Sequence, residues 1–323
     1  MTVLAPRAVA PAAGRTPEAP SSGVRRRRRT PGASPWWALV FLGPTALGLA
    51  VFYLWPTVRT LIISFTKSGP FGGSEWIGFE NYVRLFQDPE LLGALRNTAV
   101  YTVIALIGIP LAVGIAALLN TTGLTGRSAY RTLYFIPVVT MPAAIALVWR
   151  MIYNGDYGVL NAALGAVGID GRSWLTDPNT ALIAIAVVGI WAGLGTNIVI
   201  FLAGLQGIPD TIMEAADLDG AGPVRKFFSL TIPLLSPSIF FVSVISVISV
   251  IGALQVFDLI YMMLGRSNPA MPNTRTVVYL FYEAGFLDND RGYAAAVAFL
   301  LLLIILVLTI VQFRLQKKWV HYE

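Results

Sequence analysis

The chain has 323 residues, a net charge of +6 at pH 7, 56% hydrophobic residues and only 12% charged ones. Soluble domains average about 25% charged residues, and a mean hydropathy of +0.69 is more apolar surface than one water-soluble core absorbs, which excludes an ordinary cytosolic enzyme and a wholly disordered chain. With no cysteine and a single histidine, His321, the chain lacks the means for disulfides, thiolate metal sites, thiol nucleophiles and most imidazole catalysis.

Residues 1–35 are rich in Ala, Pro, Arg, Gly and Ser without apolar periodicity, and read as a disordered basic tail. Arg25 to Arg29 stand just before the first apolar run and suit anionic lipid headgroups. No aromatic-rich module accompanies them, so nucleic acid is not expected as a partner. A cleaved signal peptide is not expected either, because the following run has full spanning length.

Six stretches lack Asp, Glu, Lys and Arg for at least 18 residues: 30–58, 97–126, 132–149, 178–209, 227–257 and 292–313. Each can cross a hydrocarbon core about 30 Å thick. The third contains Pro137 and Pro142, which predict a kink. The run 157–169 is too short to span and carries three glycines, which predicts an interfacial or re-entrant segment. Between the first two runs, Trp76, Phe79, Tyr82, Val83 and Phe86 fall near helical spacing, as for an amphipathic helix lying at the membrane interface; packing against the bundle is the preferred reading. Asp88-Pro89-Glu90 predicts the next helix start, with an N-cap acid and proline at the first helical position. A cytoplasmic N-terminus places 14 of the 23 basic residues on the inside, so both termini are expected there.

Between the fourth and fifth runs, Pro209 predicts a helix start, Gly220 a left-handed end and Pro223 a second helix, with Pro233 at the exit. The first helix places Ile208, Ile212, Ala215 and Ala216 on one face, beside an acidic stripe of Asp210, Glu214 and Asp217. A lipid-facing helix favours Lys and Arg, whereas small and acidic residues suit a protein groove. A solvated acidic loop fits the pattern as well.

The string Glu214-Ala215-Ala216, Gly220, then Leu230-Thr231-Ile232-Pro233 resembles the E-A-A loop of permease subunits in binding-protein-dependent ABC importers. Leu and Ile are exchanged relative to the family's Ile-x-Leu-Pro. The segment from Trp76 to Val83 and the run ending Phe65-Thr66-Lys67 resemble the maltose/glycerol-3-phosphate type of the carbohydrate branch. The resemblance covers about 36–318. It implies an all-α membrane protein of six transmembrane helices with a cytoplasmic coupling helix-turn-helix at 205–236, followed by a short C-terminus at 319–323. It also implies an E-A-A helix seated in a groove of a partner ATPase, with Glu214 in polar contact and Ala215, Ala216, Asp217, Asp219 and Gly220 in the same element. Implied partners are two ATPase subunits, a second and different permease, an extracytoplasmic solute-binding protein and plasma-membrane lipid. ATP and Mg would be held by the ATPases, because this chain has no G-x-x-x-x-G-K-[ST] sequence; no catalytic or metal site is expected on it.

Along the fifth run and just past its end, Ser243, Ser246, Ser249, Gly252, Gln255, Asp258 and Tyr261 recur every third residue. The serines and glycine suit helix packing, and Gln255 and Asp258 suit sugar contact. In the fourth, Trp191, Gly193, Thr196 and Asn197 are pathway candidates. By distance from Glu214, Gly193 matches a glycine of the maltose-type site, while Gly189 and Thr196 stand where that family has Asn and Tyr. A self-sufficient secondary transporter or channel predicts more ionisable residues inside the spans than the one found, Asp258. An intramembrane enzyme predicts clustered His, Asp, Glu or Cys. Neither accounts for the E-A-A string.

Overall fold

A computed structural model describes residues 35–68, 73–121, 123–252 and 254–320. The basic tail and His321 lie outside them. The chain divides between Leu54 and Trp55 into two units. The first holds α1 (Pro35–Leu49) and a π turn at Ala50–Leu54. The second begins with α2 (Trp55–Ser64) and contains everything below.

A small antiparallel ribbon follows, β1 (Thr66–Ser68) with β2 (Ser74–Trp76), pairing Thr66 with Trp76 and Ser68 with Ser74. No strand is expected from the sequence, whose apolar periods are all helical. Next comes α3 (Glu80–Gln87), and it corrects an expectation. Its buried side chains are Asn81 and Leu85, and of the expected stripe only Tyr82 packs inward, half-buried with its hydroxyl 2.7 Å from Ser64 Oγ, while Phe79, Val83 and Phe86 point outward. Asn81 sets this orientation, since its amide donates to the Ser64 and Thr66 carbonyls at 2.9 and 3.0 Å. The exposed aromatic side suits the bilayer interface rather than the bundle.

Prolines decide where the long helices break. α4 (Pro89–Leu106) starts as expected, Asp88 accepting from the Glu90 N–H at 2.8 Å with Pro89 in its first turn. It gives way at Ile107 to α5 (Gly108–Asn120), because Pro110 has no N–H for the Leu106 carbonyl. α6 (Arg127–Val139) and α7 (Pro142–Ile152) meet at 103°. The expected kink is therefore present, but Pro137 stays inside α6 and the break falls at Thr140 and Met141, ahead of Pro142. The 157–169 segment forms a short helix, α8 (Val159–Ala166).

α9 (Ala181–Gln206) is unbroken and central, lying against α4, α5, α6, α13 and α14. Lipid tails supply little hydrophobic drive for helix association, so close backbone approach matters. Gly195 provides one such approach: a Cβ there would stand 2.2 Å from the Tyr134 carbonyl oxygen of α6. Next are α10 (Asp210–Leu218) and α11 (Pro223–Lys226), the latter running through a π turn at Phe227–Thr231 into α12 (Ile232–Leu234). Pro233 withholds an N–H from the Ser229 carbonyl, which accounts for the widened turn. A 65° bend leads to α13 (Ser236–Gly252) and then α14 (Leu254–Met263). The chain closes with α15 (Met271–Thr274), α16 (Val277–Tyr282), a π turn at Glu283–Leu287 and α17 (Arg291–Trp319). Four helical runs are long and apolar enough to span, and counting each bent pair as one span gives six.

Candidate functional site: a central cavity and two ends

The interruptions converge on one cavity of about 340 Å³. It is lined by Tyr101, Ala105 and Gly108 beside the α4–α5 break, by Pro137, Thr140 and Pro142 at the α6–α7 break, and by α9. Residues from both sides of the α13–α14 junction, among them Ser246, Ser249, Val256 and Leu259, complete the wall. Broken helices are tolerated at membrane depth where they line such a space.

Of the pathway candidates, Gly193, Thr196 and Asn197 lie on the cavity wall. Trp191 does not; its indole packs edge-on against Trp149, with ring centroids 5.6 Å apart. Asp258 is half-buried on α14 and also off the wall. The Gln255 side chain lies outside the described residues. Two serines expected to serve packing, Ser246 and Ser249, are on the wall instead, whereas Ser243 donates to the Phe240 carbonyl at 2.7 Å. Sequence reasoning missed Tyr101 and Thr140 as well, since each becomes a wall residue only through contacts between distant helices.

Beyond the C-terminus of α9, the helix-turn-helix is a rigid projection. Asp210 sits in the first turn of α10, where a carboxylate complements the helix dipole. Gly220 takes a φ of +72°, and the chain closes by Gly220 N–H to Asp217 O at 3.0 Å and Ala221 N–H to Ala216 O at 2.9 Å. That is a Schellman end, which glycine reaches without strain. Lys226 Nζ meets Asp217 Oδ1 at 2.5 Å and ties α11 to α10. On the expected apolar stripe Ala216 is buried, Ile208 and Ile212 are half-buried, and Ala215 is exposed. Glu214 and Asp219 are exposed, and their side chains make no hydrogen bond or ion pair with the described residues. Leu218, one turn from Glu214, is 91% exposed.

The opposite end carries a closed charge network. Arg275 reaches Glu90 Oε2 at 2.7 Å and Glu283 Oε2 at 2.8 Å, and Arg266 reaches Asp288 at 3.3 Å. Arg84 pairs with Asp290 at 2.5 Å and lies 4.5 Å over the Tyr293 ring, whose hydroxyl donates to Asp88. Burial holds Glu283 above the usual carboxylate range, an effect that Arg275 and Arg266 oppose. Asn97 ties α4 to this end by donating to the Pro272 and Arg275 carbonyls at 3.1 and 3.0 Å. Among the described residues no group of His, Cys, Asp and Glu is arranged to hold a metal ion.

Comparison with known proteins agrees with this architecture. The chain is 36% identical over 291 residues to the probable ABC transporter permease protein YesP of Bacillus subtilis (strain 168), covering 88% of this chain and 91% of that one. It is 34% identical over 292 residues to the sn-glycerol-3-phosphate transport system permease protein UgpA of Yersinia pestis, covering 89% and 96%. Identity to the arabinooligosaccharides transport system permease protein AraP of Bacillus subtilis (strain 168) is 32% over 305 residues, covering 93% and 94%. A crystal structure of a bacterial ABC transporter involved in import of the acidic polysaccharide alginate shares the fold, with a TM-score of 0.77 at 22% identity over 88% of this chain and 96% of that one. Residues 93–321 match the model of the binding-protein-dependent transport system inner membrane component. With up to six potential spans and that match over most of its length, this chain belongs to the family of binding-protein-dependent transport system inner membrane components, as a multi-pass membrane permease.

Proposed function

We propose that this chain is one permease subunit of an ATP-driven importer that carries a sugar (an oligosaccharide, a disaccharide, or a related polyol or sugar phosphate) inward across the plasma membrane. The observation that carries the reading is the projection of α10: it is firmly capped and stapled, yet presents Glu214 and Leu218 with nothing against them. Such a surface suits a protein partner. In this reading α10 and α11 seat in a groove of an ATPase subunit, and Glu214 makes the polar contact. Ala215 permits close approach, Ala216 and Gly220 hold the helix in shape, and Asp217 acts internally through Lys226. ATP and Mg belong to two partner ATPases, closure of which moves the projections and switches the cavity from outward to inward access. The permease domain is 36–318, and both termini and α10 face the cytoplasm.

A second, different permease completes the pathway, and a solute-binding protein delivers the cargo at the charge-network end. The relatives named for glycerol-3-phosphate and arabinooligosaccharide transport support the carbohydrate class. A structural neighbour solved with an alginate pentasaccharide-bound periplasmic protein supports the binding-protein partner.

The test is gentle affinity purification of the full-length chain from its native membrane, with co-purifying chains identified by mass. An ATPase and a second six-span permease are expected, the ATPase being lost with Glu214→Lys. Recovery of the chain alone, in a detergent that preserves comparable complexes, contradicts the reading and favours a self-sufficient transporter or channel.

A further inference from the structure

On the surface of the helical unit, α6 and α9 enclose a second space, a groove of about 500 Å³. Its walls are carbon-rich, with Phe135, Ile136 and Val139 from α6 and Ile198, Val199 and Leu202 from α9. Phe135, Ile136, Val139 and Val199 are exposed, so nothing among the described residues covers them. Gly195 also lines the groove, and a Cβ there would stand 2.2 Å from the Tyr134 carbonyl oxygen. The two helices therefore touch backbone to backbone, and the groove runs beside that contact.

One end of the groove is cationic. Arg131 stands on its wall, exposed, and its side chain makes no hydrogen bond or ion pair with the described residues. The other arginine of α6 is committed, Arg127 donating to the Leu119 carbonyl at 2.6 Å and to Asn120 Oδ1 at 3.1 Å. Gln206 lies on the same wall, exposed and likewise without a side-chain partner among the described residues. Consecutive spans run in opposite directions, so Arg131 near the start of α6 and Gln206 at the close of α9 belong to one end. It is the end from which α10 projects.

From Arg131 to Val139 the groove follows about 12 Å of helix, most of one leaflet's share of a hydrocarbon core about 30 Å thick. It stops there because α6 itself ends. A spanning helix of another chain needs a seam through both leaflets. A groove one leaflet deep, apolar along its length and cationic at the membrane surface, matches a single lipid instead, with its tail in the slot and its phosphate at the guanidinium.

We propose that this groove binds one anionic phospholipid in the leaflet on the α10 side, the cytoplasmic leaflet in the importer reading above. Its acyl chain lies between α6 and α9, and its phosphate is held by Arg131 with Gln206 as a second donor. A lipid held there rests against the last turns of α9, which lead through Gly207 to α10, and so braces the foot of the projection.

The test uses the intact complex as it co-purifies, reconstituted in phosphatidylcholine vesicles with a trace of one photoreactive lipid. That lipid is either phosphatidylglycerol or phosphatidylcholine, each carrying the same diazirine on its acyl chain. After illumination, labelled peptides are located by mass, and labelling over 131–139 and 195–206 is normalised to the exposed apolar side of α17. One arginine at the membrane surface favours an anionic lipid about 5-fold, so that preference for phosphatidylglycerol is expected at the groove and none over α17. Arg131→Gln is expected to remove the preference. Val199→Trp fills the slot from an exposed position and is expected to suppress labelling of the groove by both lipids while α17 stays labelled. Equal labelling of the groove by the two lipids in the parent, a preference that survives Arg131→Gln, or labelling indifferent to Val199→Trp overturns the proposal. So does a groove left unlabelled beside a labelled α17, the result that a second permease seated on it would give. Failure of the importer reading has a different signature: no ATPase co-purifies, and the same labelling is read on the chain as recovered.

Discussion

The two ends of the helical unit use charge in opposite ways. At the end holding Arg275, the carboxylates of Asp88, Glu90, Glu283, Asp288 and Asp290 are all engaged, by Arg84, Arg266, Arg275 or the Tyr293 hydroxyl. At the end holding α10, Asp217 alone of Asp210, Glu214, Asp217 and Asp219 has a side-chain partner among the described residues, Lys226. The first end joins α3, α4, α16 and α17 to one another and is internally complete. The second is locally rigid but externally unfinished, as expected of an element whose counterpart is another chain.

Four substitutions break or sharpen that contrast. Arg275→Ala removes the cation between Glu90 and Glu283 and leaves Glu283 buried, 5% exposed, without its nearest counter-charge. A cost of about 3–5 kcal/mol is expected in the thermal stability of the detergent-solubilised protein. The pH dependence gives a second readout. Burial raises the Glu283 value in the folded state, so the folded protein holds this proton more tightly than the unfolded chain does. Its contribution is full below the ordinary glutamate value and is lost as pH rises through the shifted one. Without Arg275 the shift grows, so the variant should regain stability on mild acidification more than the parent does. Equal pH slopes would contradict the pairing.

Glu214→Lys acts at the other end and should leave membrane insertion and thermal stability unchanged. Loss of a charged contact across an interface costs about 2–5 kcal/mol, so ATPase association should weaken about 30-fold or more, measured by co-purification under titrated competitor. Gly220→Ala forces a side chain into the left-handed region at φ +72°. About 1–2 kcal/mol of local stability should be lost, seen as faster amide hydrogen exchange over 210–226 with an unchanged remainder. Lys226→Ala cuts a partly exposed pair and should cost under about 1 kcal/mol, visible as a slight rise in the same exchange.

Much of the scaffold was legible because local chemistry decides it. Asp88 and Pro89 start α4, Gly220 ends α10, and charge-free runs mark the spans; each depends on a few neighbouring residues. What escaped depends on distant partners. The inward side of α3 is set by Asn81 reaching the Ser64 and Thr66 carbonyls, not by its aromatic stripe. The kink expected of Pro137 and Pro142 is there, but only the second of them marks it: the break falls at Thr140 and Met141, and Pro137 stays inside α6, since a proline is tolerated where neighbouring helices absorb the freed carbonyl. At the site, Thr196 and Asn197 were readable as polar groups within a span. Ser246 and Ser249 had the small-residue pattern of packing positions, and only the packing of α13 beside α9 brings them to the cavity. Tyr101 gave no signal in sequence, because its exposure to the cavity exists only through the missing side chain of Gly189, 88 residues away.

The claim that the α10 projection is covered by a partner can be tested on Leu218, the most exposed of its apolar residues. The chain contains no cysteine, so Leu218→Cys is a single labelling site. Maleimide modification would be followed in the native complex and again after the peripheral subunits have been stripped from the same membranes. The account predicts protection of position 218 in the complex and rapid labelling once stripped. Equal labelling in both states would contradict it.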